Sequence, residues 1–200
     1  MDLSFNLIIN CFIAMIALVN PFQKVFVVTS LQKQFDIKST RFISVKATIT
    51  ALLILLIFLF SGQAILHDVF RIEIYAFQVT CGVVLFYNGL NGLQKGTFIN
   101  IEKQLSLREI SAVPIALPMI AGPATITAAV TFPADYGHIS TIIAIVLSLG
   151  INLIFMIYAA QIGRFLERFN LLNPLVRIFG LIVATIGTQM VLNGLRGFIG

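Results

Sequence analysis

Charge is what this sequence has least of. Only 10% of its 200 residues are Asp, Glu, Lys or Arg, and eight of those are acidic. A soluble domain carries roughly 25% charged residues. A water-soluble globule is therefore excluded, and the 58% hydrophobic content and mean hydropathy of +1.00 indicate an integral membrane protein. No acidic residue lies well inside an apolar run: Asp68, Glu73, Glu109, Asp135 and Glu167 all fall near run ends. Proton-coupled carriers usually keep an ionisable relay at depth, so coupling through a buried carboxylate is disfavoured. Facilitated exchange, or a cation held by backbone carbonyls, stays open. The runs contain no cluster of metal ligands, no G-x-S-x-G and no paired aspartates, so no enzyme, metal or cofactor is expected. The two cysteines, Cys11 and Cys81, sit inside apolar runs while His67 and His138 lie at loops. Both are expected to be small hydrophobes outside any disulfide.

What is present is six apolar runs, at about 6–31, 43–66, 72–93, 110–132, 138–161 and 174–195. Each is near the ~20 residues that cross a bilayer as a helix. They predict one all-α, polytopic membrane domain over residues 1–200, without a soluble linker or low-complexity segment. The N-terminus, MDLSFNLIIN, lacks a basic stretch and a clear cleavage site, so the first run is expected to be retained. The net charge of +5 does not imply a nucleic-acid partner, because the basic residues lie between the runs. Lys24, Lys33, Lys38, Arg41 and Lys46 surround the first connection. Lys95, Lys103 and Arg108 follow the third run, and Arg164, Arg168 and Arg177 the fifth. The opposite side holds only Arg71 and Arg196. The positive-inside rule then places loops 1, 3 and 5 in the cytoplasm and both termini outside a cytoplasmic (inner) membrane.

The two halves, about 1–96 and 108–200, echo each other. Pro21 and Pro123 are 102 positions apart, and Gln63 and Gln161 are 98 apart. Gly82 and Gly89 match Gly180 and Gly187 at the same offset of 98, and Asn91-Gly92-Leu93 matches Asn193-Gly194-Leu195. Three spans per half is an odd number, so the second half enters from the opposite side. The expected layout is two inverted three-helix repeats. The glycine pairs are read as close helix packing.

Asn20-Pro21 and Gly122-Pro123 fall near the middles of runs one and four. A proline there removes a backbone donor and clashes with the carbonyl four residues back, costing about 3 kcal/mol. Lipid offers no water in repair, so each break is buried in protein or lines a cavity. Asn and Gly are accepted N-caps, and proline favours the first helical position. Each break then presents the N–H groups of Phe22 and Gln23, or of Ala124 and Thr125, to an anion. Carbonyls near Ala17 and Met119 lose their donors and can accept from an ammonium. Donors at one end and acceptors at the other suit a zwitterion; a proline kink satisfied by neighbouring helices is the alternative. Thr125 and Thr127 either reach a ligand or back-bond to helix carbonyls. Lys24 either snorkels to the interface or compensates a ligand carboxylate. Gln78, Asn88, Asn91, Gln189 and Asn193 face protein or a cavity.

The same residues resemble the MarC family of six-span membrane proteins, also called the neutral amino acid transporter family. The resemblance covers nearly the whole chain. It rests on Val19-Asn20-Pro21, on Val113-Pro114-Ile115-Ala116-Leu117-Pro118, on Ile120-Ala121-Gly122-Pro123-Ala124-Thr125-Ile126-Thr127, and on Gly187-Thr188-Gln189-Met190-Val191-Leu192-Asn193-Gly194. Many members follow the first Asn-Pro with Gly and a further Pro, where this chain has Phe22-Gln23-Lys24-Val25. The resemblance implies transport of small neutral amino acids such as glycine and alanine. The expected site is Asn20, Pro21, Phe22, Gln23, Gly122, Pro123, Ala124 and Thr125, with Asn88 and Gln189 nearby. The expected partners are a small amino acid and the lipid bilayer, with a homo-oligomer left open. A small-solute or ion channel, or an exporter of another small metabolite, is the alternative.

Overall fold

The structure, a computed structural model, describes residues 2–32, 35–95, 120–169 and 171–199. All its described elements are helical. In chain order they are α1 Asp2–Val19, α2 Pro21–Gln32, α3 Ile37–Ala64, α4 Ile74–Lys95, α5 Pro123–Tyr136, α6 His138–Ile157, α7 Ala159–Arg168 and α8 Leu172–Ile199. The end of α3 widens into a π-helical turn, Ile65–Val69.

Local chemistry accounts for the boundaries. Asp36 caps α3, its Oδ2 accepting from the N–H groups of Lys38 and Ser39 at 3.0 and 3.1 Å. A bond from the Ser39 side chain, with those backbone donors, holds the Asp36 carboxyl below the usual carboxylate range. Asn20 divides the first apolar run, and Gly122 starts α5. The fifth run, expected as one helix to 161, instead turns at Tyr158. The reason is that α7 is two-faced. Ala159, Gly163 and Leu166 are buried, whereas Gln161, Arg164 and Arg168 are exposed. The turn lays the apolar face on α2, bringing Gly163 against Thr29.

Among the described residues, four helical stretches are long and apolar enough to cross a membrane: Phe5–Thr29 across the first break, Ile37–Val69, His138–Ile157 and Pro174–Ile199. With 22 residues, α4 reaches about 33 Å at 1.5 Å per residue, but Gln78, Asn88, Asn91 and Gln94 dilute its apolar character. The first half of run four, with the Val113–Pro118 string and Met119, lies outside the described residues.

The bundle is apolar outside, and its mostly apolar core also encloses polar side chains. Ile49, Leu53, Ile57 and Phe60 form an exposed stripe along α3, and Ile178, Leu181, Ile182 and Leu192 are exposed on α8. Asn20, Lys24, Thr40, Ser44, Thr125, Thr127, Thr141, Ser148 and Asn152 are buried. Such an outer surface is stable against lipid and prone to aggregation in water. Inside, hydroxyls satisfy themselves along their own helices: Thr40 donates to Asp36 O, Ser44 to Thr40 O and Thr48 to Ser44 O, all at 2.9 Å.

Backbone contact joins α4 to α8, the most extensive helix pair described. A Cβ on Gly82 would stand 2.7 Å from Gly187 O, and one on Gly180 would stand 2.8 Å from Gly89 O. The contact of Gly82 with Gly187 and of Gly89 with Gly180 makes the two helices antiparallel. Across the bundle, Gly62 on α3 meets Val130 on α5, and Gly163 on α7 meets Thr29 on α2.

At the α4–α8 seam, overpacking costs about 1–3 kcal/mol and occasionally more. Gly89→Leu is expected at or above the upper end, because a Cβ there meets the backbone of Ala184. Gly150 has nothing within 4 Å of a Cβ, so Gly150→Ala is expected to be neutral or slightly stabilising. Melting both variants in detergent checks the contrast.

Candidate functional site

Asn20 does two jobs at the first break. It adopts φ +50, a left-handed conformation that asparagine tolerates better than most residues. Its N–H still donates to Ile16 O at 2.9 Å, which closes α1. Its Oδ1 accepts from Gln23 N at 3.3 Å, which caps α2. Gln23 N–H, expected to be open to a ligand, is therefore taken by the asparagine side chain. Pro21, itself buried, has no N–H, so Ala17 O lacks its ordinary helical donor.

The second break is closed differently. Gly122 is extended at φ −80, ψ 175, and no side chain caps the turn that follows. Pro123 is the first residue of α5, and Ile126 N donates to Gly122 O at 3.0 Å. The Thr125 hydroxyl is shared between Ile120 O at 2.9 Å and Gly122 O at 3.0 Å. It bridges the break. Thr127 back-bonds to Pro123 O at 2.8 Å. Of the two roles open to these threonines, the donors serve the backbone. The N–H groups of Ala124 and Thr125, which cannot find intrahelical partners at a helix start, face no capping side chain.

A cavity of about 370 Å³ lies between α1, α4, α5 and α8. That falls within the ~300–1,000 Å³ of small-molecule sites. Ala14, Ala17 and Leu18 from before the first break line it, as do Ala124, Thr127 and Thr131 from after the second. The two breaks thus contribute opposite backbone ends to one space. Polar groups come from Gln78, Asp135, Gln189 and Asn193, with Gln189 Nε2 donating to Asn193 Oδ1 at 2.8 Å.

The expected site residues divide. Ala124 and Gln189 line this cavity. Asn20, Gln23 and neighbouring Lys24 form a separate buried group at the head of α2. Phe22 stacks on Phe179 with ring centroids 4.7 Å apart and meets Phe155 edge-on at 5.2 Å. Asn88 is exposed on α4 and is not among the residues lining the cavity. Lys24 does not snorkel, since it is 3% exposed. Ser148 and Asn152 on α6 were not singled out from sequence, yet both are fully buried, with Ser148 Oγ and Asn152 Oδ1 unpartnered. Their spacing of four, within an otherwise apolar run, was the available signal. Cys11 and Cys81 are free thiols in the interior.

A helical bundle with lipid-compatible walls, polar side chains buried within an apolar core and helices that start at Pro21 and Pro123 is a multi-pass integral membrane protein. The chain belongs to the MarC family: the profile described as MarC family integral membrane protein matches residues 5–199. It is 33% identical to the UPF0056 membrane protein PH0214 of Pyrococcus horikoshii, over 96% of this chain and 95% of that one. It is 34% identical to the UPF0056 membrane protein MJ1677 of Methanocaldococcus jannaschii, over 98% of both. Similarity to the UPF0056 inner membrane protein YhgN of Escherichia coli is 28% identity over 96% of this chain and 97% of that one. No solved structure matches.

Replacing Asn20 separates its two jobs. Asn20→Ala loses the cap and the local side-chain hydrogen bond that makes the left-handed conformation tolerable, and is expected to cost about 2 kcal/mol. Asn20→Gly keeps the backbone conformation and is expected to cost only a few tenths. Thermal unfolding of both variants, monitored by circular dichroism, checks the order.

Proposed function

We propose that the protein is a secondary carrier of small neutral amino acids, of the glycine and alanine class. It would be built from two inverted three-helix repeats, with both termini outside and loops 1, 3 and 5 in the cytoplasm. The carrying observation is the 370 Å³ cavity whose floor joins the carbonyl end of one broken helix to the N-terminal end of the other. The N–H groups of Ala124 and Thr125, buried and capped by no side chain, suit a carboxylate at the Ala124 wall of the cavity. The Ala17 carbonyl and the amide groups of Gln78, Gln189 and Asn193 suit an ammonium.

Reciprocal contacts support the repeat. Gly163 follows Gly62 by 101 positions, Val130 follows Thr29 by 101, and the partners are exchanged: Gly62 meets Val130 and Gly163 meets Thr29. Gly82–Gly187 and Gly89–Gly180 exchange in the same way at an offset of 98. A two-fold axis in the membrane plane produces this pattern.

With that orientation the cavity opens outward, because Asp135 and Asn193 lie toward the outer ends of α5 and α8. The opposite side is closed by the Phe22, Phe155 and Phe179 rings and by Val27, Leu31, Ile43 and Met156. One vestibule open and its counterpart shut is one state of an alternating-access cycle. Rocking of one repeat against the other exchanges them.

Proteoliposomes test the function. Saturable flux of labelled alanine or glycine with counterflow is expected. Fast, non-saturating flux without counterflow marks a channel instead, and absence of flux for every small amino acid ends the proposal.

A further inference from the structure

The core-facing side of α2 begins with three polar residues on one helical face, Asn20, Gln23 and Lys24, and continues with Val27, Val28 and Leu31, all buried apart from half-buried Gln23. Lys24 is 3% exposed, and its Nζ donates to Gln23 Oε1 at 3.3 Å. Among the described residues no carboxylate stands within ion-pair distance of it. The side chains around the adjoining 10 Å³ void are Val27, Val28, Leu31, Ile43, Ser44, Ala47, Ile120 and Met156, none of them acidic. The charged groups on the described helices that pack against α2 are likewise basic where their side chains are described: Lys38, Arg41 and Lys46 on α3, Arg164 and Arg168 on α7, Arg177 and Arg196 on α8.

A second observation comes from Asn20. Its Oδ1 is held over the first turn by Gln23 N–H, and its Nδ2, on the same amide, is buried with no hydrogen-bond partner. The head of α2 therefore gathers a buried ammonium, an unpartnered amide donor and the positive end of a helix. Buried charges are ordinarily paired; here Lys24 meets only the neutral Gln23 amide oxygen, and Asn20 Nδ2 meets no acceptor.

We propose that Asn20, Lys24 and the first turn of α2 form a second anion site, separate from the Ala124 and Thr125 N–H groups, that takes over the substrate's carboxylate during the transport cycle, so that the carboxylate is obligatory for binding and the ammonium is not. This rests on the carrier function proposed above and deepens it. The floor of the open cavity, at Ala17 and Leu18, ends within one helical turn of Asn20. Phe22, between Asn20 and Gln23 in the chain, packs against Phe155 and Phe179. Lys24 is a binding residue, and it supplies the charge that selects an acid over an uncharged or cationic analogue.

The test uses the purified full-length protein, melted with propionate (alanine without its ammonium), L-alanine or L-alaninamide, alongside alanine counterflow in proteoliposomes. Wild type, Lys24→Met and Lys24→Arg are compared. Methionine fits the apolar surroundings, so the variant is expected to fold, and its ligand-free melting checks this. Propionate and alanine are expected to raise the melting temperature of the wild type, with alaninamide giving no shift. Lys24→Met is expected to bind both acids about tenfold more weakly or worse, and Lys24→Arg to recover part of the loss. Undiminished acid shifts in Lys24→Met, or an alaninamide shift as large as that of propionate, overturn the anion site even if counterflow persists. A Lys24-dependent propionate shift without saturable flux overturns the carrier and leaves the anion site standing. Absence of any propionate shift in the wild type overturns the site whatever the flux, and the contrast between propionate and alaninamide in the wild type decides the matter if Lys24→Met fails to fold.

Discussion

Backbone polar groups inside a membrane must find partners within the protein, and the arrangement at Pro21 and Pro123 follows from that constraint. A helix interrupted in lipid leaves up to four donors and four acceptors without intrahelical partners. Here the first interruption is closed by a single residue. Asn20 ends one helix with its N–H, starts the next with its side-chain oxygen and supplies the left-handed bend between them. Gly122 has no side chain to do this, so Thr125 reaches back across the gap with its hydroxyl instead. The two breaks match in sequence position but differ in chemistry. One is capped by Asn20 and lies beside the buried Lys24. The other keeps bare N–H groups and opens on a cavity.

The same constraint shapes the rest of the bundle. Hydroxyls on α3 bond to carbonyls of their own helix, so a polar face can be buried without partners from elsewhere. Small residues then let helices approach until backbones touch, as at the glycine seam between α4 and α8. Without a hydrophobic drive between helices in lipid, such close packing supplies much of the association energy. It also leaves α4 and α8, one from each half of the chain, as a closely fitted pair beside the helices that carry the breaks.

The helix starts at Pro21 and Pro123 were legible in the residues. Proline within an apolar run marks a break whatever surrounds it, because the missing N–H is a covalent fact. The glycine periodicity of seven foretold close packing by α4 and by α8, but not that they pack on each other. The bend at Tyr158 was not legible, since it depends on how the apolar face of α7 meets α2. Nor was the loss of Gln23 N–H to Asn20, which needs the dihedral angles of one residue. Asn88 and Gln189 read alike in sequence, yet Gln189 lines the cavity and Asn88 is exposed elsewhere on α4.

Composition and periodicity by themselves determined that this chain lives in a membrane, that it is helical, and where two of its helices must break. These are properties of transfer free energy and of single covalent units, and they need no partner. Only the tertiary structure decided which face of each helix turns inward, that the opposite ends of two broken helices share one space, and that Lys24 is enclosed rather than drawn to the surface. Those outcomes depend on contacts between residues distant in the chain, where the burial of one group is set by the shape of another.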